Sequence, residues 1–211
     1  MLLVEKKSIE IGEKMSGKKD ILIVSALEQE TQGQLEDWNV LYTGVGKVNA
    51  TLKLTQRLHS SHLHYLPPMP KLVINYGTAG SRKIKKKQLV DCTKFIQRDM
   101  DVTGLGFMKG ETPFESDPPL IIESTSEFNP IGRKASCGSG DSFVEDRTNY
   151  YGEVVDMEAY ALAKVCYHYD IPFISFKYIT DGADEQSHED WEKNLADGIV
   201  EFKEKVLTKI K

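Results

Sequence analysis

Short runs of consecutive aliphatic residues recur along the chain, at 21–24 (ILIV), 72–75 (LVIN) and 171–176 (IPFISF). A weaker run of the same kind stands at 40–42 (VLY). These runs lack the period-two alternation of a half-exposed strand, and they are typical of strands buried on both faces. We therefore predict four strands that lie inside a covered sheet.

Three further segments carry apolar residues at helical spacing. The segment 154–169 is apolar nearly all round, as a core helix would be. A last helix is predicted to follow Ser187, a residue type that caps helix N-termini. Its apolar stripe consists of Trp191, Leu195, Ile199, Phe202, Val206 and Ile210. The first helix, after Gly46, carries Val48, Leu52, Thr55 and Leu58 on one face.

Strands that alternate with helices predict an α/β fold. We expect a three-layer α/β/α arrangement around a central mixed, largely parallel twisted sheet. Residues 20–211 form one domain in this interpretation, and residues 1–19 are an N-terminal extension whose order the pattern leaves open. The region 104–140 is rich in turn residues and lacks periodicity, and loops of that length tend to be functional.

Composition and charge narrow the class of protein. The chain has 211 residues, of which 40% are hydrophobic, so a buried core is expected. A net charge of −5 gives no counterion-release gain on DNA, which argues against a general nucleic-acid binder. We see no apolar run of about 20 residues and no secretory leader, so no membrane partner is expected. Three cysteines without pair spacing favour a reducing, cytoplasmic location.

Polar and glycine-rich segments follow the predicted strands, at 25–30 (SALEQE), 44–47 (GVGK), 77–80 (GTAG) and 180–184 (TDGAD). Ligands of α/β sheets bind beyond the carboxyl ends of the strands. Glycine lets the backbone approach a ligand, and carboxylates bind hydroxyls or move protons. The chain lacks the glycine–lysine motif of a polyphosphate loop. We therefore predict a site for an uncharged polyhydroxy or nucleoside-like ligand.

A set of ordered motifs makes this site more specific. They are 26–30 (ALEQE), 44–48 (GVGKV), 75–80 (NYGTAG), 99–103 (DMDVT), 139–143 (SGDSF), 155–159 (VDMEA) and 179–188 (ITDGADEQSH). Together they resemble the 5′-methylthioadenosine/S-adenosylhomocysteine nucleosidases of the nucleoside phosphorylase superfamily. The resemblance implies a nucleoside phosphorylase-like fold and a homodimer. It also implies hydrolysis of the bond between adenine N9 and ribose C1′ of methylthioadenosine, S-adenosylhomocysteine or a relative, with no cofactor and no metal.

The resemblance also implies roles for individual residues. Asp181 matches the acid that protonates purine N7, Glu30 matches the base that activates water, and Glu158 matches the ligand of the ribose hydroxyls. We expect the nearby helix start to keep Glu158 ionised. The other implied substrate contacts are Met157 under the sugar, Phe143 stacked on adenine, Val144 through its backbone, Ala79, Gly80 and Asp156. Leu105 and Pro113 match positions that cover the partner subunit's alkylthio pocket.

The chain departs from the family pattern and is identified as a shortened variant. It is short between Glu30 and Gly44, so we expect the usual β-hairpin to be missing. It is also short between Pro113 and Phe143, which predicts that a helix beside the site is trimmed or removed and leaves the 5′-group specificity open. Asp156 replaces the first glutamate of a Glu-Met-Glu triplet.

Simpler interpretations of these residues stay open. Glu30 fits the first turn of a short helix, and Asp181 fits a loop or cap. Met157 and Phe143 fit an ordinary core. His59, His62 and His64 favour a solvated helix end over a metal site, the basic run 82–87 favours a solvated turn, and Cys166 favours an inert core thiol.

Two other activities remain as alternatives to hydrolysis. One is a purine nucleoside phosphorylase of the same fold, in which phosphate replaces water. The Glu30 carboxylate argues against it, because it would repel the phosphate anion. The other is a catalytically silent nucleoside-binding protein, and the presence of Glu30, Glu158 and Asp181 together argues against that.

Overall fold

The protein is described by a computed structural model that covers residues 17–62, 68–146 and 150–210, apart from the side chain of His62. The predicted extension thus lies mostly outside the described residues, as does His64. The strands are β1 Ile21–Ser25, β2 Val40–Tyr42, β3 Leu72–Gly80, β4 Leu89–Gln97, β5 Ile122–Glu123, β6 Ala135–Ser139, β7 Val154–Asp156 and β8 Phe173–Asp181. The α-helices are α1 Glu28–Thr31, α2 Lys47–His62, α3 Ala159–His168, α4 Ser187–Asn194 and α5 Gly198–Lys205.

The eight strands form one mixed sheet. Strand β1 lies between β2 and β3 and is parallel to both. Strand β3 pairs in parallel with β8, which continues antiparallel to β4, and β6 and β7 follow in parallel. A bridge between Gly80 of β3 and Val155 of β7 closes these strands into a ring. The predicted α/β class and the mixed sheet are confirmed. Because part of the sheet closes into a ring, it does not form one open central layer, and the three-layer arrangement stays a prediction.

Neighbouring residues of one strand enter two different cores. Leu22 of β1 packs in a buried cluster with Leu54 of α2 and Leu162 of α3. Ile21, one position earlier, packs with Phe202 of α5 in a second cluster. Alternate side chains of a strand point to opposite faces, so both faces of β1 are covered. This is why the sequence shows a continuous aliphatic run where a half-exposed strand would alternate.

The chain contains more strands, and longer ones, than the pattern predicts. β3 continues to Gly80 and β8 continues to Asp181, so the residues expected in turns after these strands end them instead. The prediction of one helix over 154–169 is wrong in its first turn, because Val154–Asp156 is strand β7. Strands β4, β5 and β6 were not predicted.

The predicted helices also need correction. The buried residues of α2 include Ala50, Leu54, Leu58 and Ser61, while Val48 and Leu52 of the expected face are exposed. The C-terminal stripe is divided between α4 and α5. Ser187 is the first residue of α4 rather than its cap, and its hydroxyl accepts a hydrogen bond from the backbone N–H of Asp184.

The segment after α1 and the basic run 82–87 lie within the described residues. Residues 32–39, all of them described, hold turns and no strand, so the hairpin is missing as predicted. In the basic run 82–87, Lys86 pairs with Asp190 and Lys87 with Asp197, which ties this turn to the C-terminal segment.

Cys166 is buried in α3, and burial raises the pKa of its thiol. Within the described residues, no helix is long and apolar enough to cross a membrane.

Candidate active site

A cavity of about 320 Å³ opens where β1, β3 and β8 end. These three strands run in parallel, so their carboxyl ends meet at one edge of the sheet. Three carboxyl groups, from Glu30, Glu158 and Asp181, line this cavity beside a fourth, that of Asp156, which is paired with Lys177. All three are buried, which makes the protonation state of each dependent on its immediate partners.

Glu30 lies in α1 and accepts four hydrogen bonds. Its Oε2 receives the Ser25 hydroxyl at 2.8 Å and the Leu27 backbone N–H at 3.1 Å. Its Oε1 receives the Thr78 backbone N–H at 2.7 Å and the Thr78 hydroxyl at 2.9 Å. The contact with Leu27 fits the simple first-turn interpretation, but Thr78 lies on β3. Glu30 therefore joins the start of α1 to the sheet as an acceptor-only carboxylate does.

Asp181 is the last residue of β8 and lies against Gly80. Its Oδ2 accepts the Thr180 hydroxyl at 2.8 Å, and its Oδ1 accepts the Ala183 backbone N–H at 3.0 Å. Burial raises the pKa of Asp181 and outweighs these hydrogen bonds. A Cβ atom on Gly80 would lie 2.5 Å from Asp181 Oδ1, so only glycine leaves room for this carboxyl group. The site thus holds a carboxyl group that keeps its proton to higher pH than a solvated aspartate.

Glu158 precedes α3 and meets the glycine-rich turn after β2. Its Oε1 accepts the Gly46 backbone N–H at 2.8 Å, and Gly46 has a φ of 94°, which favours glycine. Burial and the nearby Asp156 carboxylate raise the pKa of Glu158 to about 8. The expectation that the helix start keeps this group ionised is therefore wrong. Desolvation and the Asp156 charge outweigh the Lys177 charge and the Gly46 N–H, which both lower the pKa of Glu158.

Beneath Glu158, Lys177 of β8 forms a buried ion pair with Asp156 of β7. Nζ lies 2.7 Å from Oδ2, and both side chains are 1% exposed. Burial alone would raise the pKa of Asp156, but the Lys177 charge and hydrogen bonds from Ser139 and Ala159 lower it. Burial alone would lower the pKa of Lys177, and the Asp156 charge raises it instead. The pair therefore carries both charges under the cavity.

Arg98 directly follows the last residue of β4, lines the cavity and is 2% exposed. Its guanidinium donates to the carbonyl oxygens of Gly140 and Ser142 and to the Ser142 hydroxyl. These contacts hold the segment that carries Phe143 and Val144, both of which line the cavity.

The structure brings most of the predicted site residues together. Those that line the cavity are Ala79, Gly80, Glu30, Phe143, Val144, Asp156, Met157, Glu158 and Asp181. Phe143 is exposed and Met157 half-buried, so neither is an ordinary core residue. Leu105 and Pro113 do not line the cavity, and Leu105 is 74% exposed.

Several residues of the site have no role predicted from the sequence, among them Lys177, Trp191, Thr78 and Arg98. Lys177 gave a usable signal, because a lysine inside an aliphatic strand needs a buried partner. Trp191 lines the cavity rather than only filling a core stripe, and its indole N–H donates to Thr78 Oγ1 at 3.0 Å. Thr78 lies in the motif 75–80 and Arg98 directly before the motif 99–103, but no local pattern indicates their contacts.

Comparison with known proteins places this arrangement in a family. Solved structures of the same fold include a futalosine hydrolase mutant of Helicobacter pylori strain 26695, with 21% identity, a TM-score of 0.71 and coverage of 85% of this chain and 93% of that one. The 5′-methylthioadenosine/S-adenosylhomocysteine nucleosidase of Helicobacter pylori, solved with butyl-thio-DADMe-Immucillin-A, has 22% identity, a TM-score of 0.72 and coverages of 85% and 92%. The corresponding enzyme of S. pneumoniae, solved with the transition-state inhibitor MT-ImmA, has 19% identity, a TM-score of 0.69 and coverages of 84% and 92%.

At these identities, the similarity establishes a common fold. The family model described as "Phosphorylase superfamily" matches residues 29–210. The resemblance found in the sequence motifs is thereby confirmed, and the chain belongs to the phosphorylase superfamily.

Proposed function

We propose that the protein hydrolyses the N-glycosidic bond of an adenine nucleoside and releases adenine and the free ribose derivative. The observation that carries this proposal is the contrast between two carboxyl groups in one cavity. Glu30 is surrounded by hydrogen-bond donors, whereas burial raises the pKa of Asp181. An acceptor carboxylate and a protonated acid are the two groups that glycosidic hydrolysis requires.

The proposed reaction uses Asp181 as acid and Glu30 as base. Asp181 transfers its proton to purine N7, and the electron pair of the C1′–N9 bond moves onto the purine as that bond breaks. Water bonds to C1′ and gives a proton to Glu30. Exchange with solvent returns the proton to Asp181 and removes it from Glu30. The oxocarbenium character of the transition state makes the departure of a neutral, protonated purine the decisive step.

The remaining cavity residues fit the nucleoside. Glu158 would bind the ribose hydroxyls, and Met157 would lie under the sugar. Phe143 supplies an aromatic face for adenine, and Val144 supplies backbone groups for its edge. Ala79 and Gly80 would line the purine and water side. Asp156 supports this surface through its ion pair with Lys177.

Phosphorolysis is less compatible with these charges. Among the described residues, the guanidinium that lines the cavity belongs to Arg98, and it already donates to the Gly140 and Ser142 carbonyl oxygens. Lys177 is paired with Asp156. A phosphate near Glu30 would meet a carboxylate. A silent nucleoside-binding protein would not need the raised pKa of Asp181.

The candidate substrates are related nucleosides that differ in their 5′-substituent. Proteins of similar fold include both methylthioadenosine/S-adenosylhomocysteine nucleosidases and a futalosine hydrolase. We favour methylthioadenosine or S-adenosylhomocysteine, because the sequence motifs resemble the first group. We also propose a homodimer whose partner surface includes Leu105 and Pro113. Cytoplasmic location stays a prediction from the cysteine content.

A substrate panel with purine release as readout tests the reaction. The panel is methylthioadenosine, S-adenosylhomocysteine, 5′-deoxyadenosine, adenosine and inosine, each with and without added phosphate. Release of adenine that is unchanged by phosphate is expected, and a phosphate requirement would favour the phosphorylase. The rate should fall as the pH rises through the raised pKa of Asp181, since only the protonated acid can donate.

Variants of Asp181 and Glu158 distinguish the proposed proton transfer from the proposed binding of ribose. Asp181→Asn should abolish turnover but still bind substrate in part, because an amide cannot protonate N7. Glu158→Gln should weaken substrate binding and also lower the rate. Glu185→Gln, an exposed acid close to Asp181 in the chain, is the matched control and should leave activity unchanged. A wild-type rate for Asp181→Asn would remove the proposed acid.

A further inference from the structure

A chain of two hydrogen bonds connects the cavity wall to Glu30. The indole Nε1 of Trp191 on α4 lies 3.0 Å from Thr78 Oγ1 on β3. Thr78 Oγ1 in turn lies 2.9 Å from Glu30 Oε1, which also accepts the Thr78 backbone N–H. Three separate elements, α4, β3 and α1, thus meet at one hydroxyl group.

The chemistry of the groups sets the direction of this chain. An indole N–H can only donate, so Thr78 Oγ1 accepts from Trp191. A threonine hydroxyl has a single proton, and this proton is then free to point at Glu30. An ionised carboxylate can only accept. The order Trp191 to Thr78 to Glu30 is therefore the one that satisfies all three groups.

We propose that Trp191 is a positioning residue for Glu30 and acts through the Thr78 hydroxyl; the inference rests on the proposed role of Glu30 as the base. The indole N–H fixes the hydroxyl rotor and strengthens its hydrogen bond to the carboxylate, as hydrogen bonds in a chain polarise one another. Trp191 also lines the cavity, so the wall that meets the substrate and the orientation of the base are set by the same side chain. Its N–H points to Thr78, and its ring contributes the wall.

The substitution Trp191→Phe separates these two contributions, because it removes the N–H and keeps an aromatic ring. We expect kcat for adenine release to fall roughly three- to tenfold, the range of one neutral hydrogen bond, with KM changed less than about twofold. The acid side of the pH–rate profile should move to higher pH, because the Thr78 hydroxyl makes a weaker hydrogen bond to the ionised Glu30 carboxylate once the indole donor is gone. Thr78→Val should have an effect of similar or larger size, and Thr78→Ser should keep the wild-type rate because it keeps the hydroxyl.

Two comparisons distinguish positioning from packing. The double variant Trp191→Phe/Thr78→Val should be no slower than Thr78→Val alone, because both changes break the same chain. Trp38→Phe is the matched control: Trp38 packs on the second core cluster, outside the cavity, and should retain wild-type kcat and pH profile. Thermal melts of all variants identify any loss of folding.

NMR detects the hydrogen bonds from Trp191 through Thr78 to Glu30 without any measurement of turnover. In protein with ¹⁵N-labelled tryptophan, the indole signals of Trp191 and Trp38 are assigned from Trp38→Phe. Thr78→Val and Glu30→Gln should both shift the Trp191 indole signal and leave that of Trp38 in place. The inference is overturned, and the proposed function is not, if Glu30→Gln leaves the Trp191 indole signal unshifted. The same holds if Trp191→Phe has the wild-type kcat and pH profile. Absence of adenine release by the wild type, or full activity of Glu30→Gln, overturns the proposed function and this inference with it.

Discussion

Lys177 Nζ lies 2.7 Å from Asp156 Oδ2, and both side chains are almost completely buried beneath the candidate active site. Burial raises the pKa of Glu158, the carboxylate of this pair raises it further, and the ammonium partly offsets both effects. The pair also joins β8 to β7, two strands of the closed part of the sheet. One buried contact therefore contributes both to the architecture and to the charge balance of the cavity.

Removal of one member of this pair should destabilise the fold. Lys177→Met leaves the Asp156 carboxylate buried without its counterion, which costs about 3–5 kcal/mol in comparable pairs. The double variant Lys177→Met/Asp156→Asn removes both charges and should be less destabilised than the sum of the single variants by about 1–3 kcal/mol. Urea unfolding at constant pH measures all four proteins. Strict additivity would show that the two groups are not coupled.

Gly80 should be required for activity more than for folding. The added methyl group of Gly80→Ala would lie 2.5 Å from Asp181 Oδ1 and would displace the proposed acid. A shift of about 1 Å in a reacting group costs on the order of 100-fold in rate. The matched control is Gly104→Ala, where a Cβ meets no atom within 4 Å and the rate should not change. Adenine release and thermal melts check both variants, and equal rates would contradict the steric argument.

The sequence predicts best where chemistry is local. The run at 21–24 predicts a strand covered on both faces because each residue of β1 enters one of two cores. Strand β4 has no such continuous aliphatic run, because Asp91 interrupts its apolar residues, and the sequence therefore does not predict it. Asp91 is buried and accepts hydrogen bonds from Asn129, Arg133 and Lys134. These partners lie about 40 residues away in the chain, so no local window marks Asp91 as an interior residue.

The candidate site divides in the same way. Glu30, Glu158 and Asp181 stand in motifs that can be recognised, so the sequence predicts them as site residues. Their protonation depends on burial and on long-range neighbours, and the expectation for Glu158 was wrong for that reason. Trp191 occupies a helical stripe like any core residue, and only the packing of α4 against β8, the neighbour of β3 in the sheet, brings its N–H to Thr78.

The proposed dimer predicts a sensitive surface near Leu105. Val48 at the start of α2 is 75% exposed, and its neighbour Lys47 pairs with Asp99 at the beginning of the segment that carries Leu105. Leu105→Asp should therefore convert a dimer of twice 23.8 kDa into a monomer in analytical ultracentrifugation. Folding should change little, since exposed substitutions usually stay within about 0.5 kcal/mol.

A matched substitution on another surface controls for a general effect of charge. Val200 is an exposed aliphatic residue of α5, which packs on the opposite face of the sheet from α2. Val200→Asp should leave the mass unchanged. A monomeric wild-type protein at micromolar concentration would contradict the dimer.

Glu158 should make the folded state less stable as the pH rises. Its pKa is about 8 in the folded protein and 4.5 when solvated, so between these values the folded state holds a proton that the unfolded state has lost. Raising the pH then favours unfolding, by up to about 1.4 kcal/mol per pH unit. Glu158→Gln has no such proton and should become progressively more stable than the wild type from pH 5 to 8. Urea unfolding at several pH values measures this difference, with the exposed Glu185→Gln as control. Parallel curves for wild type and Glu158→Gln would mean that Glu158 is already ionised in the folded protein.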